Sequence, residues 1–148
     1  MNLRTLLLFA LTSVTAAAAP TATQDAVYKA LSARDPAPTC AQVEALSDDP
    51  VGDLLFVVDH ATQPPWAGMR AAACLVDGHA EEVQPRISAW VEGKDTRGFA
   101  IMVFERLDTM PLSVATEVAT KGLRGPWADD ARPHILKSSV PEIRRLAE

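Results

Sequence analysis

The chain has 148 residues, 48% hydrophobic and only 5% aromatic, with 14 Lys and Arg against 19 Asp and Glu and a formal charge of −5. That acidic balance argues against nucleic acid or anionic lipid as a partner, since both demand clustered Lys and Arg. The length suits one domain with a serviceable core, and few aromatics with much alanine favour closely packed helices over a sheet.

Residues 1–18 read as a secretory signal peptide. Arg4 gives a short basic start, Leu6 to Val14 is apolar apart from small hydroxyls, and Ala16, Ala17 and Ala18 supply the small residues that a signal peptidase needs. Cleavage after Ala18 is preferred, because cleavage after Ala19 would leave Pro20 as the first mature residue. The apolar run is too short to cross about 30 Å of hydrocarbon. No cysteine near the cleavage site offers a lipid anchor. Removal takes Arg4 alone among the charged residues, leaving 13 basic and 19 acidic residues and a formal charge of −6. The expectation is a periplasmic or secreted protein with no membrane span.

Residues 19–24 are expected to be a flexible leader to a domain over 25–148. Val27, Ala30 and Leu31 mark a short helix that Pro36-Ala37-Pro38 ends. Thr39 with Gln42 has the form of a capping box, and Cys40, Val43 and Leu46 give the next helix its inner face. Asp49-Pro50 is a helix entry. The run it opens, Leu54 to Val58, is apolar all round, as is Phe99 to Phe104. Both runs are also compatible with buried strands. Helix is preferred because both continue into polar residues at helical length, between helix signals.

Residues 64–93 form the clearest unit, a helix hairpin. Trp66, Met69, Ala73 and Val76 share one helix face, and Val83, Ile87, Trp90 and Val91 share another. Pro64 and Pro65 suit a start, Gly78 a left-handed stop and Gly93 a second stop. A hairpin this short cannot bury its own apolar face and needs neighbours built the same way. From Asp95 a second hairpin follows: Phe99, Met102, Val103 and Leu107 fill its first helix, and Leu112, Ala115, Val118 and Ala119 face inward from its second, which Gly122 ends. Gly125-Pro126-Trp127 repeats the Pro-Pro-Trp entry. A last helix opens at Ser139, with Glu142 completing a capping box; Val140, Ile143 and Leu146 form its apolar stripe while Arg144, Arg145 and Glu148 stay wet.

Cys40 and Cys74 are the two cysteines. In an exported chain they are expected to pair, closing a loop of about 35 residues that contributes about 3 to 4 kcal/mol. With Cys40 at the start of its helix and Cys74 near the end of its own, the helices should run antiparallel or cross.

The residues resemble HEAT-type, armadillo-like helical repeats. The family's first helix often reads Asp, a few residues, Val-Arg, then Ala three and four positions on. Here Met69-Arg70 is followed by Ala73 and Cys74, and Asp95-Thr96-Arg97 by Ala100 and Ile101, with Phe104 in place of the usual Leu. Val83-Gln84-Pro85 before Ile87 is similar to the start of the second helix. The likeness covers 64–123, and the flanks share only its rhythm. Arg70 lacks the preceding Asp, Thr96 replaces an aliphatic residue, and Arg132 is followed by Pro133. The resemblance implies an all-α fold, a short right-handed α-solenoid of about eight to nine helices. It also implies a monomeric, non-catalytic binding or scaffold module that holds another protein on the surface of its second helices and needs no cofactor.

No constellation in the sequence carries chemistry. His60 follows Asp59 and His79 precedes Glu81 and Glu82, which suggests a small exported enzyme or metal-binding protein as the alternative reading. Yet no two histidines share a helix face at ligand spacing, and His134 is distant. The pairs Asp48-Asp49, Glu81-Glu82 and Asp129-Asp130 sit at helix starts, where the backbone dipole favours negative charge. There is no nucleophile elbow or phosphate-cradling glycine loop. Trp66, Trp90 and Trp127 are the binding candidates if exposed, and otherwise staples across the hairpins. Arg97 is expected to pair with a neighbouring carboxylate in an internal ladder.

Overall fold

Helices in this chain begin where a side-chain oxygen or a proline settles the first free amides. Thr21 with Gln24 and Thr39 with Gln42 form reciprocal capping boxes, and Asp49 accepts the Gly52 amide at 3.1 Å. Pro50, Pro65 and Pro141 each occupy a first helical position, where the missing N–H costs nothing. The computed structural model describes residues 19–148, so the expected signal peptide lies outside the described residues. Among the described residues there are nine α-helices, one 3-10 turn and no strand. The helices are α1 (Ala22–Ser32), α2 (Cys40–Glu44), α3 (Pro50–His60), α4 (Pro65–His79), α5 (Gln84–Glu92), α6 (Arg97–Phe104), α7 (Leu112–Arg124), α8 (Ala128–Lys137) and α9 (Pro141–Arg144).

Both all-apolar runs are therefore helical. Leu54 and Val57 of α3 are fully buried, as are Ala100 and Val103 of α6, while Leu55, Phe56, Val58, Phe99 and Ile101 are half-buried around them. Each helix touches neighbours on several sides: α3 lies between α1 and α4, and α6 touches α4, α5, α7 and α8. A helix so placed is apolar on most of its circumference. The remaining packing is equally local, with α1 on α4, α5 on α7, and α9 on α7 and α8.

The structure corrects several details of the sequence reading. The leader is shorter than 19–24, because the Thr21 capping box starts α1 at Ala22. The buried face of α4 is wider than the Trp66, Met69, Ala73, Val76 stripe and is rotated from it. It comprises Ala67, Gly68, Ala71, Ala72, Cys74, Leu75 and Val76, with the first three of that stripe at its rim. Small residues let backbones approach: a β-carbon on Gly68 would lie 3.8 Å from the carbonyl oxygens of Val57 and Val58 in α3. Gly78 is not a left-handed stop. No glycine among the described residues has a positive φ, and the chain winds on past α4 with the Val83 amide donating to His79 at 3.0 Å.

Gly122 is likewise inside α7 rather than at its end. A β-carbon there would come within 2.6 Å of the Phe104 ring, which is itself 2% exposed, so this glycine makes room for α6 against α7. Leu112 is half-exposed and Val114 takes the inward place, because Leu112 precedes the stretch of α7 that meets α5 and α8. Leu46 lies beyond the end of α2 and is also exposed. Pro133 sits within α8 without ending it. The carbonyl it leaves unbonded is that of Asp129, an exposed residue that water can reach.

Ser139 does not cap α9. Its amide and hydroxyl donate to Asp108 Oδ2 at 2.8 and 2.6 Å, and the Ser138 hydroxyl donates to the other carboxylate oxygen. These donors hold the Asp108 carboxyl below its ordinary value of 3.8, the Ser138 hydroxyl contributing most. A folded-state value below the unfolded one adds stability that is present in full above that range and is lost as pH falls through the folded value. Asp108→Asn should therefore destabilise the protein in denaturant titrations at pH 7, and its deficit should be smaller in titrations at an acidic pH below the ordinary carboxylate range. An equal deficit at both pH values would show that charge is not what Asp108 supplies.

Cys40 and Cys74 form a disulfide, with Cα atoms 5.3 Å apart. The helices it joins are not antiparallel. Contacts advance from Cys40–Cys74 to Glu44–His79, so the two helices run the same way; α2 has only five residues and fits beside the last turns of α4. The pair Cys40→Ser with Cys74→Ser should lose about 3 to 4 kcal/mol of unfolding free energy in urea, the loop-closure contribution of such a bridge.

Candidate binding surfaces

Beside the local caps and turns, a set of polar side chains on the surface joins residues about one hairpin apart. Along the row of α2, α4, α6 and α8, His79 Nε2 lies 3.2 Å from Glu44, the Thr109 hydroxyl donates to Asp77 at 3.0 Å, and Arg97 grips Asp130 with two bonds of 2.9 and 3.0 Å. Those partners are 35, 32 and 33 residues apart. Between α5 and α7, Lys121 donates to Ser88 at 2.8 Å and Gln84 donates to Glu117, both across 33 residues. Lys121 also pairs with Glu117 at 2.8 Å and reaches Glu92 at 3.7 Å. The hydrogen bond to Glu117 raises the lysine's pKa, and the same contact lowers that of Glu117.

The tryptophans divide into two staples and one core residue. Trp66 Nε1 donates to the Ser32 carbonyl at 3.3 Å and Trp127 Nε1 to the Gly93 carbonyl at 2.8 Å, each spanning 34 residues. The indole of Trp66 thus sits against the end of α1 and that of Trp127 against the end of α5. Trp90 is 4% exposed and stacks on Phe99 with ring centroids 5.2 Å apart, so it offers a partner no surface. Over Trp66 lie two guanidinium groups, Arg34 at 5.0 Å and Arg70 at 6.0 Å from the ring centroid. Arg70 also donates to the Leu31 carbonyl at 3.0 Å and to that of Ala33. Arg70 and Arg97, alike in the sequence pattern, thus do different work: one closes the end of α1, the other joins α6 to α8. The Asp130 hydrogen bonds raise the pKa of Arg97, and Arg97 lowers that of Asp130.

The histidines line separate clefts. His60 stacks on Phe56 at 4.2 Å and lines a cleft of about 350 Å³ with Tyr28 and Asp25. His79 borders one of about 420 Å³ with Asp77, Glu81 and Glu82, and His134 a smaller one with Phe104 and Asp108. Among the described residues, no three His, Cys, Asp or Glu side chains converge as metal ligands would. A further groove, of about 320 Å³, runs between α4 and α6 over Met69, Ala73, Ile101 and Met102, with Arg70, Glu105 and Arg106 at its sides. Sequence reasoning missed Gln84, Glu117, Lys121 and Asp108, whose partners lie 30 or more residues away. The signal that could have found them is the common offset itself.

Trp127→Phe and Trp66→Phe each keep a ring while deleting one N–H donor to a carbonyl. Each should lower unfolding free energy by about 1 kcal/mol in urea. A change below about 0.3 kcal/mol would mean that the indoles act through packing alone.

Comparison with known proteins leaves the chain without a relative: no family model, no curated protein and no solved structure matches it.

Proposed function

We propose that the chain is a non-catalytic HEAT-like repeat module, a short α-solenoid that acts by binding another protein or scaffolding an assembly in the periplasm. The observation that carries this reading is the recurrence of cross-helix bonds at about one hairpin length, with outliers such as Arg70–Leu31 at 39 and Arg132–Ala147 at 15. Pairs 32 to 35 residues apart recur from Glu44–His79 to Arg97–Asp130. In a solenoid each unit touches only its neighbours, so contacts fall at one repeat length and lateral faces are left free for partners. A disulfide in place of two free thiols fits an oxidising compartment, and no described helix is long and apolar enough to cross a membrane. The net acidity favours a protein partner over nucleic acid.

The test uses residues 19–148 with the disulfide intact, immobilised and exposed to native envelope extract. A retained protein should rebind in purified form with a dissociation constant of about 1 µM or tighter. Turnover on a substrate panel, with no protein showing saturable binding, would overturn the proposal.

A further inference from the structure

The groove between α4 and α6 differs in chemistry from the rest of the surface. Its floor is Met69, Ala73, Ile101 and Met102, of which only Met102 is fully buried. The two helices run the same way along it: a β-carbon on Gly98 would meet Met69 Cε at 3.4 Å near their starts, and Arg106 reaches Asp77 at 3.5 Å near their ends. The length of α6, 8 residues, corresponds to about 12 Å, which an extended peptide of about three or four residues would follow.

Charge distinguishes it further. In a chain with 19 acidic and 14 basic residues, the groove carries Arg70 and Arg106; Arg106 is paired with Asp77 and Glu105, while Arg34 lies over the same indole as Arg70. Among the described residues neither Arg34 nor Arg70 has a carboxylate within ion-pair distance. The hydrogen bonds of Arg70 go to neutral carbonyls, which leave its charge uncompensated. The α5 and α7 surface is the opposite case, since Gln84, Ser88, Glu117 and Lys121 already satisfy one another.

We infer that the α4–α6 groove is the docking site for an acidic, amphipathic segment of a partner protein. Apolar side chains of the segment rest on Met69, Ala73 and Ile101, and its carboxylates face Arg70 and Arg34. This inference rests on the protein-binding role proposed above and moves the contact from the second helices to the first. Thioether and aliphatic side chains tolerate varied anchors, while the arginines select the sign of charge.

The test measures fluorescence anisotropy of labelled peptides of about twelve residues with residues 19–148. One peptide alternates Asp or Glu with Leu, a second replaces the acids by Lys, and a third replaces Leu by Ser. The acidic apolar peptide should bind about tenfold tighter than either control and weaken with added salt. Ile101→Asp should reduce its affinity about tenfold, and Arg34→Glu, an exposed change that leaves the apolar floor intact, about fivefold; Ser113→Glu on α7 should leave it unchanged. Equal binding of the Lys peptide, tighter binding to phosphatidylglycerol vesicles, or indifference to Arg34→Glu would overturn the inference. Photo-crosslinkers at Ile101 and Ser113, used with envelope extract, separate the two levels. A partner crosslinked only through Ser113 sinks the groove and leaves the binding role standing, whereas no crosslink at either site removes both.

Discussion

Every helix in this protein depends on burying its apolar side against other helices, both the one next in sequence, as α3 does on α4, and ones further along the chain, as α5 does on α7. The segments are too short to be stable alone: α2 has five residues and α9 four, and even α4, the longest, has 15. Neighbour packing supplies what length cannot. The core is accordingly a continuous seam of small and aliphatic residues, from Val27 and Leu31 through Ala71, Leu75, Ile87, Val103 and Val118 to Ile143. Large aromatics are nearly absent from it, and Phe104 fits only because position 122 has no β-carbon.

Polar chemistry has been arranged to serve that seam. Asp108 gathers the turn between α8 and α9, Arg97 and Asp130 tie two starts together, and the indoles of Trp66 and Trp127 hold the carbonyls of Ser32 and Gly93. Each contact leaves little reactive capacity over. His79 faces Glu44 and His60 stacks on Phe56. The titratable groups with displaced pKa values are all members of such pairs, and each is displaced toward its charged form. In each, the hydrogen-bonded partner favours the charged form.

The α4–α6 groove differs in part: Arg106 is paired with Asp77 and Glu105, whereas Arg70 donates to carbonyls and, with Arg34, lies over the Trp66 ring. Two guanidinium groups without a carboxylate partner among the described residues, beside half-buried Met69, give this edge of an acidic chain the opposite character to its mean. Binding by such a surface draws on apolar burial for strength and on charge for selection.

Much was legible in the sequence by itself. The capping box at Thr39, the Asp49-Pro50 entry, the helical class and the inner face of α5 follow from local rules, because a cap or a 3.6-residue period acts within one or two turns, while the Cys40–Cys74 pair follows from compartment and cysteine count. What required the tertiary structure acts across about thirty residues. Ser139 has the form of an N-cap, yet Asp108 claims it. Gly122 has the form of a stop, yet it is a gap for Phe104. Gly78 has the form of a left-handed turn, yet the backbone keeps winding. Trp90 and Trp66 look alike as aromatic anchors, and only their neighbours place one in the core and the other under two arginines. In each case the local signal allows more than one role, and the energy that chooses comes from a partner whose position no short stretch of sequence specifies.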